Sequence, residues 1–218
     1  MIDWQQEKGH ILQMASGIIP RSDVRIVESR WDSSNSFGEF EYTPEEKAMD
    51  RATWALGLKL EPLSIPSLSN HHIRMESQRE LEATGGLTIP ERRLVMIRPM
   101  SQFIGLNGSS VSSSFLASCF HEVSHASAIN TVRQYTRLGA GEEVVAELGS
   151  MLVADQLLPD FDPNWSKQYV AYHLATVNNK DPEGRIADRF NLLLRYAHEA
   201  AEWQLPKVSY YLQKEKVI

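Results

Sequence analysis

The sequence predicts an α+β fold: a small N-terminal sheet followed by a helical C-terminal half. Three observations predict it. Arg92-Arg93-Leu94-Val95-Met96-Ile97-Arg98-Pro99 is an apolar run bounded by Pro90 and Pro99, the pattern of a strand. From Glu142 onward the apolar residues recur at helical spacing, through Val144, Val145, Leu148, Met151 and Leu152. With 218 residues, 42% of them hydrophobic, the chain is long enough to bury a core as one domain over 1–218, with 1–91 as an N-terminal part.

The elements follow in order. Trp4 to Ser16 reads as a helix with Trp4, Ile11, Leu12 and Met14 on its buried side, stopped by Gly17 and Ile18-Ile19-Pro20. Asp23 to Arg30 alternates as a short strand, and Trp31 to Gly38 is a polar loop. Thr43-Pro44-Glu45-Glu46 opens a second helix, because Thr43 caps it, Pro44 suits the first turn and Glu46 completes a capping box; it ends near Leu56-Gly57. Leu60 to Asn70, with Pro62, Pro66 and three serines, reads as a connecting loop. His71 and His72 are adjacent and so point to different faces of a strand, which makes them surface or second-site residues. Gly105 to Ser114 is a Gly/Asn/Ser loop leading into a helix capped by Ser112, Ser113 or Ser114. Two further helices, Trp165 to Val177 and Ile186 to Trp203, each follow an Asp-Pro pair.

Composition excludes several function classes. The formal charge is −6, from 28 acidic and 22 basic residues, so there is no basic field for wrapping nucleic acid. The single cysteine, Cys119, rules out an internal disulfide and a multi-cysteine zinc cluster, and reads as helix packing rather than a nucleophile. No window approaches the ~20 apolar residues of a membrane span. The start, Met1-Ile2-Asp3-Trp4, lacks the basic and apolar regions of a secretory signal, which leads us to expect a cytoplasmic protein without a membrane partner.

The chemistry sits in Phe120-His121-Glu122-Val123-Ser124-His125-Ala126. On a helix, residues four apart share a face, so His121 and His125 can aim two imidazole nitrogens at one ion. Glu122, one step round, can reach a water there as general base. Leu116, Phe120 and Val123 form an apolar stripe and Ser114, Ser118, His121 and His125 a polar one, which predicts a helix buried on one side only. A catalytic zinc takes a third protein ligand. Glu143 and Glu147, again four apart, follow at a distance that lets a return helix bring them across the ion. One would bind the metal, and the other would fix the tautomer of a ligand histidine. Glu143 is taken as the ligand and Glu147 as its support, with the exchange of roles open. The strand over 92–99 precedes this helix and either lines a cleft and pairs with an extended peptide or is an ordinary sheet strand with no substrate role.

The two motifs, Phe120 to Ala126 and Glu142-Glu143-Val144-Val145-Ala146-Glu147-Leu148-Gly149, resemble the zincin-like metallopeptidase domain of ArdC-type antirestriction proteins and the C-terminal region of TraC-type plasmid primases. Gln168-Tyr169-Val170-Ala171-Tyr172 and Ala197-His198-Glu199-Ala200-Ala201 are similar to the family's closing helices. The similarity spans 92–205, about half the chain. It implies a gluzincin-type zincin fold, one Zn(2+) or similar divalent ion, and a phage or mobile-element protein acting against host defence in the bacterial cytoplasm. The family's N-terminal single-stranded-DNA-binding domain is not recognisable in 1–91, and a Gly-His continuation after the second histidine is replaced by Ala126-Ser127-Ala128-Ile129.

The resulting expectation is a zinc metalloprotease that hydrolyses a protein or peptide, with Glu122 moving the proton and Tyr135, Tyr172 or His173 as oxyanion partner by residue type. The competing expectation is a binding or inhibitor protein that keeps the fold and the metal for structure.

Overall fold

The computed structural model describes residues 2–17, 43–73, 85–105, 108–130, 139–180 and 185–218. The expected strand over 23–30, the loop to Gly38 and Tyr135 lie outside them. The architecture is α+β, mostly helical, with one three-stranded sheet among the described residues. No described helix is long and apolar enough to cross a membrane.

Helix α1 (Trp4–Gly17) buries Ile11 and Ala15. Helix α2 (Pro44–Ala55) starts on the capping box: Glu46 N–H donates to Thr43 Oγ1 at 3.2 Å and Thr43 N–H to Glu46 Oε2 at 2.8 Å. Glu46 is buried and its other oxygen accepts from Met100 N–H at 2.8 Å, so one carboxylate ties the helix start to the chain before the metal motif. Gly57, at φ 75°, ends α2: its N–H donates to Trp54 C=O and the Leu58 N–H to Thr53 C=O, which satisfies two carbonyls the helix leaves open.

The stretch expected as a loop over 60–70 is more ordered. It contains strand β1 (Lys59–Pro62) and a short helix α3 (Ile65–Asn70), capped by Ser64 Oγ on the Ser67 N–H at 3.2 Å. Pro66 falls within the first turn of α3, where the missing N–H costs nothing, so the residue that suggested a loop is compatible with a helix start.

Strand β2 (Gly86–Ile89) pairs antiparallel with β3 (Leu94–Ile97), and β1 pairs parallel on the other side, giving the order β1-β3-β2. The expected strand over 92–99 is thus β3, but it is central. Both its edges are already paired, so it has none to offer an extended peptide. All four β3 residues are buried because both sheet faces are covered. Val95 and Ile97 enter the main core, and Leu94 and Met96 pack with Leu63 and Leu68 on the opposite face. The same alternation puts Leu87 and Ile89 of β2 on the smaller cluster, which turns Gly86 and Thr88 the other way.

That other face is covered by α4 (Val111–Ala126). Helices α5 (Ala140–Leu157), α6 (Asn164–Lys180) and α7 (Ile186–Lys214) complete the core, α5 packing against α4, α6 and α7. The last helix was expected to end near Trp203. It continues through Pro206 because Val208 and Leu212 extend its buried stripe. Proline costs a helix one internal hydrogen bond, and burial of two large aliphatic side chains, at about 1.5–3 kcal/mol each, is enough to carry the helix past it.

Candidate metal centre

Helix α4 starts at Ser110, whose Oγ accepts from Ser113 N–H at 3.1 Å, and not at one of Ser112 to Ser114. Asp160, in the turn after α5, accepts from the Ser110 N–H at 2.8 Å and from the Ser113 hydroxyl. Burial works against the charged form of Asp160, but these two donors hold its carboxyl below the usual range. The helix start is therefore pinned from a distant segment.

The expected one-sided burial of α4 is wrong. Twelve of its sixteen residues are buried, serines included. Two serine hydroxyls turn back onto the helix: Ser118 donates to Ser114 C=O at 3.0 Å and Ser124 to Phe120 C=O at 2.8 Å, so both are buried with a partner. The buried Cys119, with its thiol pushed well up by burial and by the Glu46 and Glu122 charges, is packing.

Small residues bring α5 onto α4. A Cβ on Gly149 would meet Ser124 Oγ at 2.7 Å, so glycine is what permits that approach, and Ser150 Oγ donates to Ala117 C=O at 2.6 Å. The pairings Ala117–Ser150, His121–Glu147 and His125–Glu143 run in opposite chain directions, so the helices are antiparallel and their ends meet at the motif.

There, His121 Nδ1 lies 2.7 Å from Glu147 Oε2. His121 Nε2 lies 3.1 Å from His125 Nε2, and Glu143 Oε2 stands 3.5 Å and 3.7 Å from these two nitrogens. His121, His125 and Glu143 form a group that can bind a metal ion, the one such group among the described residues. The donor set fits. A tetrahedral ion with ligands at about 2.0–2.2 Å needs donor atoms ~3.3 Å apart, and the three observed edges bracket that value. Two imidazole nitrogens beside one hard carboxylate oxygen suit zinc and its first-row neighbours more than calcium or magnesium. Glu143 is 34% exposed and Glu147 1%, which separates an oxygen that can still move from one locked behind the histidine.

Electrostatics favour a positive charge at this point. Burial lowers the His121 pKa, but the carboxylates of Glu143 and Glu147 override it and push it up to about 10. Burial raises the Glu143 carboxyl, yet the two histidines hold it well below the ordinary range. That raised value keeps His121 protonated at neutral pH.

Glu122 is buried against β2. Thr88 Oγ1 lies 2.8 Å from Glu122 Oε2 and 2.9 Å from its backbone oxygen, and a Cβ on Gly86 would meet Glu122 Cγ at 2.5 Å. Burial raises the Glu122 pKa against the lowering effect of both histidines and Thr88. Gly86 and Thr88 escaped the sequence reading because the strand that carries them is four residues long.

Of the oxyanion candidates, His173 is held below its ordinary pKa, first by burial, and feels the charges of Glu143 and His121. Tyr172 packs edge-on to His173 at 5.2 Å. Tyr169, which sequence reasoning had not placed in the site, packs against the His173 ring at 4.5 Å and its hydroxyl donates to Glu143 Oε2 at 2.7 Å. Burial and the Glu143 charge push its phenol well above its usual pKa, so it stays a donor. The signal that could have found it is its spacing, four residues before His173 on one helix. His71 instead pairs with Glu61 at 2.8 Å, and His72 is exposed at φ 53°.

Comparison with protein-family models, with curated proteins and with solved structures returned no match.

Proposed function

We propose that this protein is a zinc-dependent metallopeptidase of zincin type. The observation that supports the reading most is the convergence of His121, His125 and Glu143 on one point, with Glu122 on the same helix turn buried beside them. His121, His125 and Glu143 would hold the ion, and Glu147 would orient His121 through Nδ1. A zinc ion in that place supplies activation of water and polarisation of a substrate carbonyl. Glu122 is the base that takes a proton from water and passes it to the leaving amine. Thr88 and Gly86 hold its carboxylate in place, and His173, kept neutral by burial, is the nearby group suited to donate to developing negative charge.

Among the described residues strand β2 is an outer strand of the sheet and carries Thr88, so a peptide substrate would lie alongside β2 rather than along β3. The setting we propose, a phage or mobile-element protein acting against host restriction in the bacterial cytoplasm, rests on the resemblance of the two motifs alone.

The test compares wild type with Glu122→Gln on a panel of unfolded protein substrates, with bound metal measured in both. The reading expects hydrolysis by the wild type that a chelator stops, and a Glu122→Gln variant that keeps its metal and loses activity by at least about 100-fold. A Glu122→Gln variant of full activity would sink the mechanism.

A further inference from the structure

We propose that Tyr169 is a positioning residue of the metal centre: its phenol O–H holds Glu143 Oε2 over the two histidines, so that Glu143 meets an ion with that oxygen. The inference rests on the metal-centre reading and goes one layer beyond it.

Glu143 is the least constrained of the three candidate ligands. It sits in the first turn of α5 with 34% of its side chain exposed, against 12% and 14% for His121 and His125. A glutamate in that position has several rotamers and can swing into solvent. Glu147 fixes His121, and Glu143 needs a partner of its own. Tyr169 is that partner, and the choice of oxygen is informative. Oε2 is the atom 2.7 Å from the Tyr169 hydroxyl, and it is also the atom 3.5 Å and 3.7 Å from the two Nε2 nitrogens. A carboxylate oxygen has two lone pairs, so it can accept the phenol and still offer one to a cation.

The phenol is itself held on both sides. Its ring stacks on Trp165 at 5.1 Å and 17°, packs against His173 at 4.5 Å, and meets the His121 ring edge-on at 5.8 Å. Trp165 and His173 lie four residues before and after Tyr169 on α6, so the stack is built by helical spacing. The hydroxyl is presented to Glu143 by a rigid ladder, which is what an orienting group requires.

Tyr169→Phe keeps the ladder and removes only the donor. Co(II) and Zn(II) affinities are measured by competition with a chromophoric chelator, and the visible spectrum of the cobalt-loaded protein is recorded, in wild type, Tyr169→Phe, Glu143→Ala and the double variant. Circular dichroism checks the fold. The expected result is a 10–100-fold weaker affinity in Tyr169→Phe with a changed cobalt spectrum, and no further loss when the substitution is added to Glu143→Ala. Unchanged affinity and spectrum would overturn the inference and leave the metal reading standing. So would a loss that persists in full in the Glu143→Ala background, because Tyr169 would then act otherwise than through Glu143. A wild-type chain that binds neither ion, no better than the His121→Ala control, would overturn both.

Discussion

Glu147 Oε2 stands 2.7 Å from His121 Nδ1, and this contact decides which nitrogen of His121 faces His125 and Glu143. Removing the charge while keeping the shape tests it. Glu147→Gln is expected to weaken metal binding by about 10–100-fold, and Glu143→Ala to weaken it more. The reverse order, read by chelator competition, would make Glu147 the ligand and Glu143 its support.

A second prediction follows from the proton the cluster holds. With its pKa at about 10, His121 is charged at neutral pH in the ion-free protein, and an ion requires the neutral ring. Metal binding at pH 7 should release about one proton, and apparent affinity should rise about tenfold per pH unit from 7 to 9. Calorimetry in buffers of different ionisation enthalpy counts the proton. The same shift has a stability consequence. The folded pKa exceeds the ordinary 6.5, so this contribution is complete below pH 6.5 and is lost as pH rises towards 10. The Tm of the ion-free protein should therefore fall across that window, and fall less in Glu147→Gln. A metal-free wild type whose Tm falls no more than that of the variant contradicts the assignment.

Strand β2 makes a third prediction about Glu122. Thr88→Val leaves a buried carboxylate short of its hydroxyl partner and should cost about 1–3 kcal/mol, with Thr88→Ser restoring most of it. Gly86→Ala forces a methyl within 2.5 Å of Glu122 Cγ and should cost a similar amount while displacing the carboxylate. Denaturant unfolding measures both. Neutral substitutions at both positions would mean that β2 does not hold Glu122.

The helix contact under the site gives a fourth. Gly149→Ala places a Cβ 2.7 Å from Ser124 Oγ and should destabilise by about 1–3 kcal/mol. The obstructing atom is the end of a short side chain, so Ser124→Ala in the same chain should recover part of the loss. A double-mutant cycle reads the coupling, and strict additivity would contradict the contact.

How far the molecule was legible depended on the range of the interactions. Thr43 and Glu46 act within four residues, so the start of α2 could be read directly. The i, i+4 pairs His121/His125 and Glu143/Glu147 are local too, and each falls on a single helix. Ser112, Ser113 and Ser114 offered three caps for α4, whereas Ser110, held from a distance by Asp160, is the residue that caps it. Gly86 and Thr88 reach Glu122 from more than thirty residues away, beyond any local pattern. The helix expected to end at Trp203 runs on to Lys214 for the same reason, since the buried stripe of α7 outweighs the local break at Pro206. The central place of β3 is set by its partners on either side, which periodicity within 94–97 does not reveal.

Whether His121, His125 and Glu143 hold one divalent ion is decided by metal analysis of the purified protein beside its His121→Ala variant. About one zinc is expected per wild-type chain, with a His121→Ala chain that is folded and essentially free of metal. A wild-type chain that takes up no ion even when zinc is supplied, or a His121→Ala chain that binds it as tightly, would contradict the account.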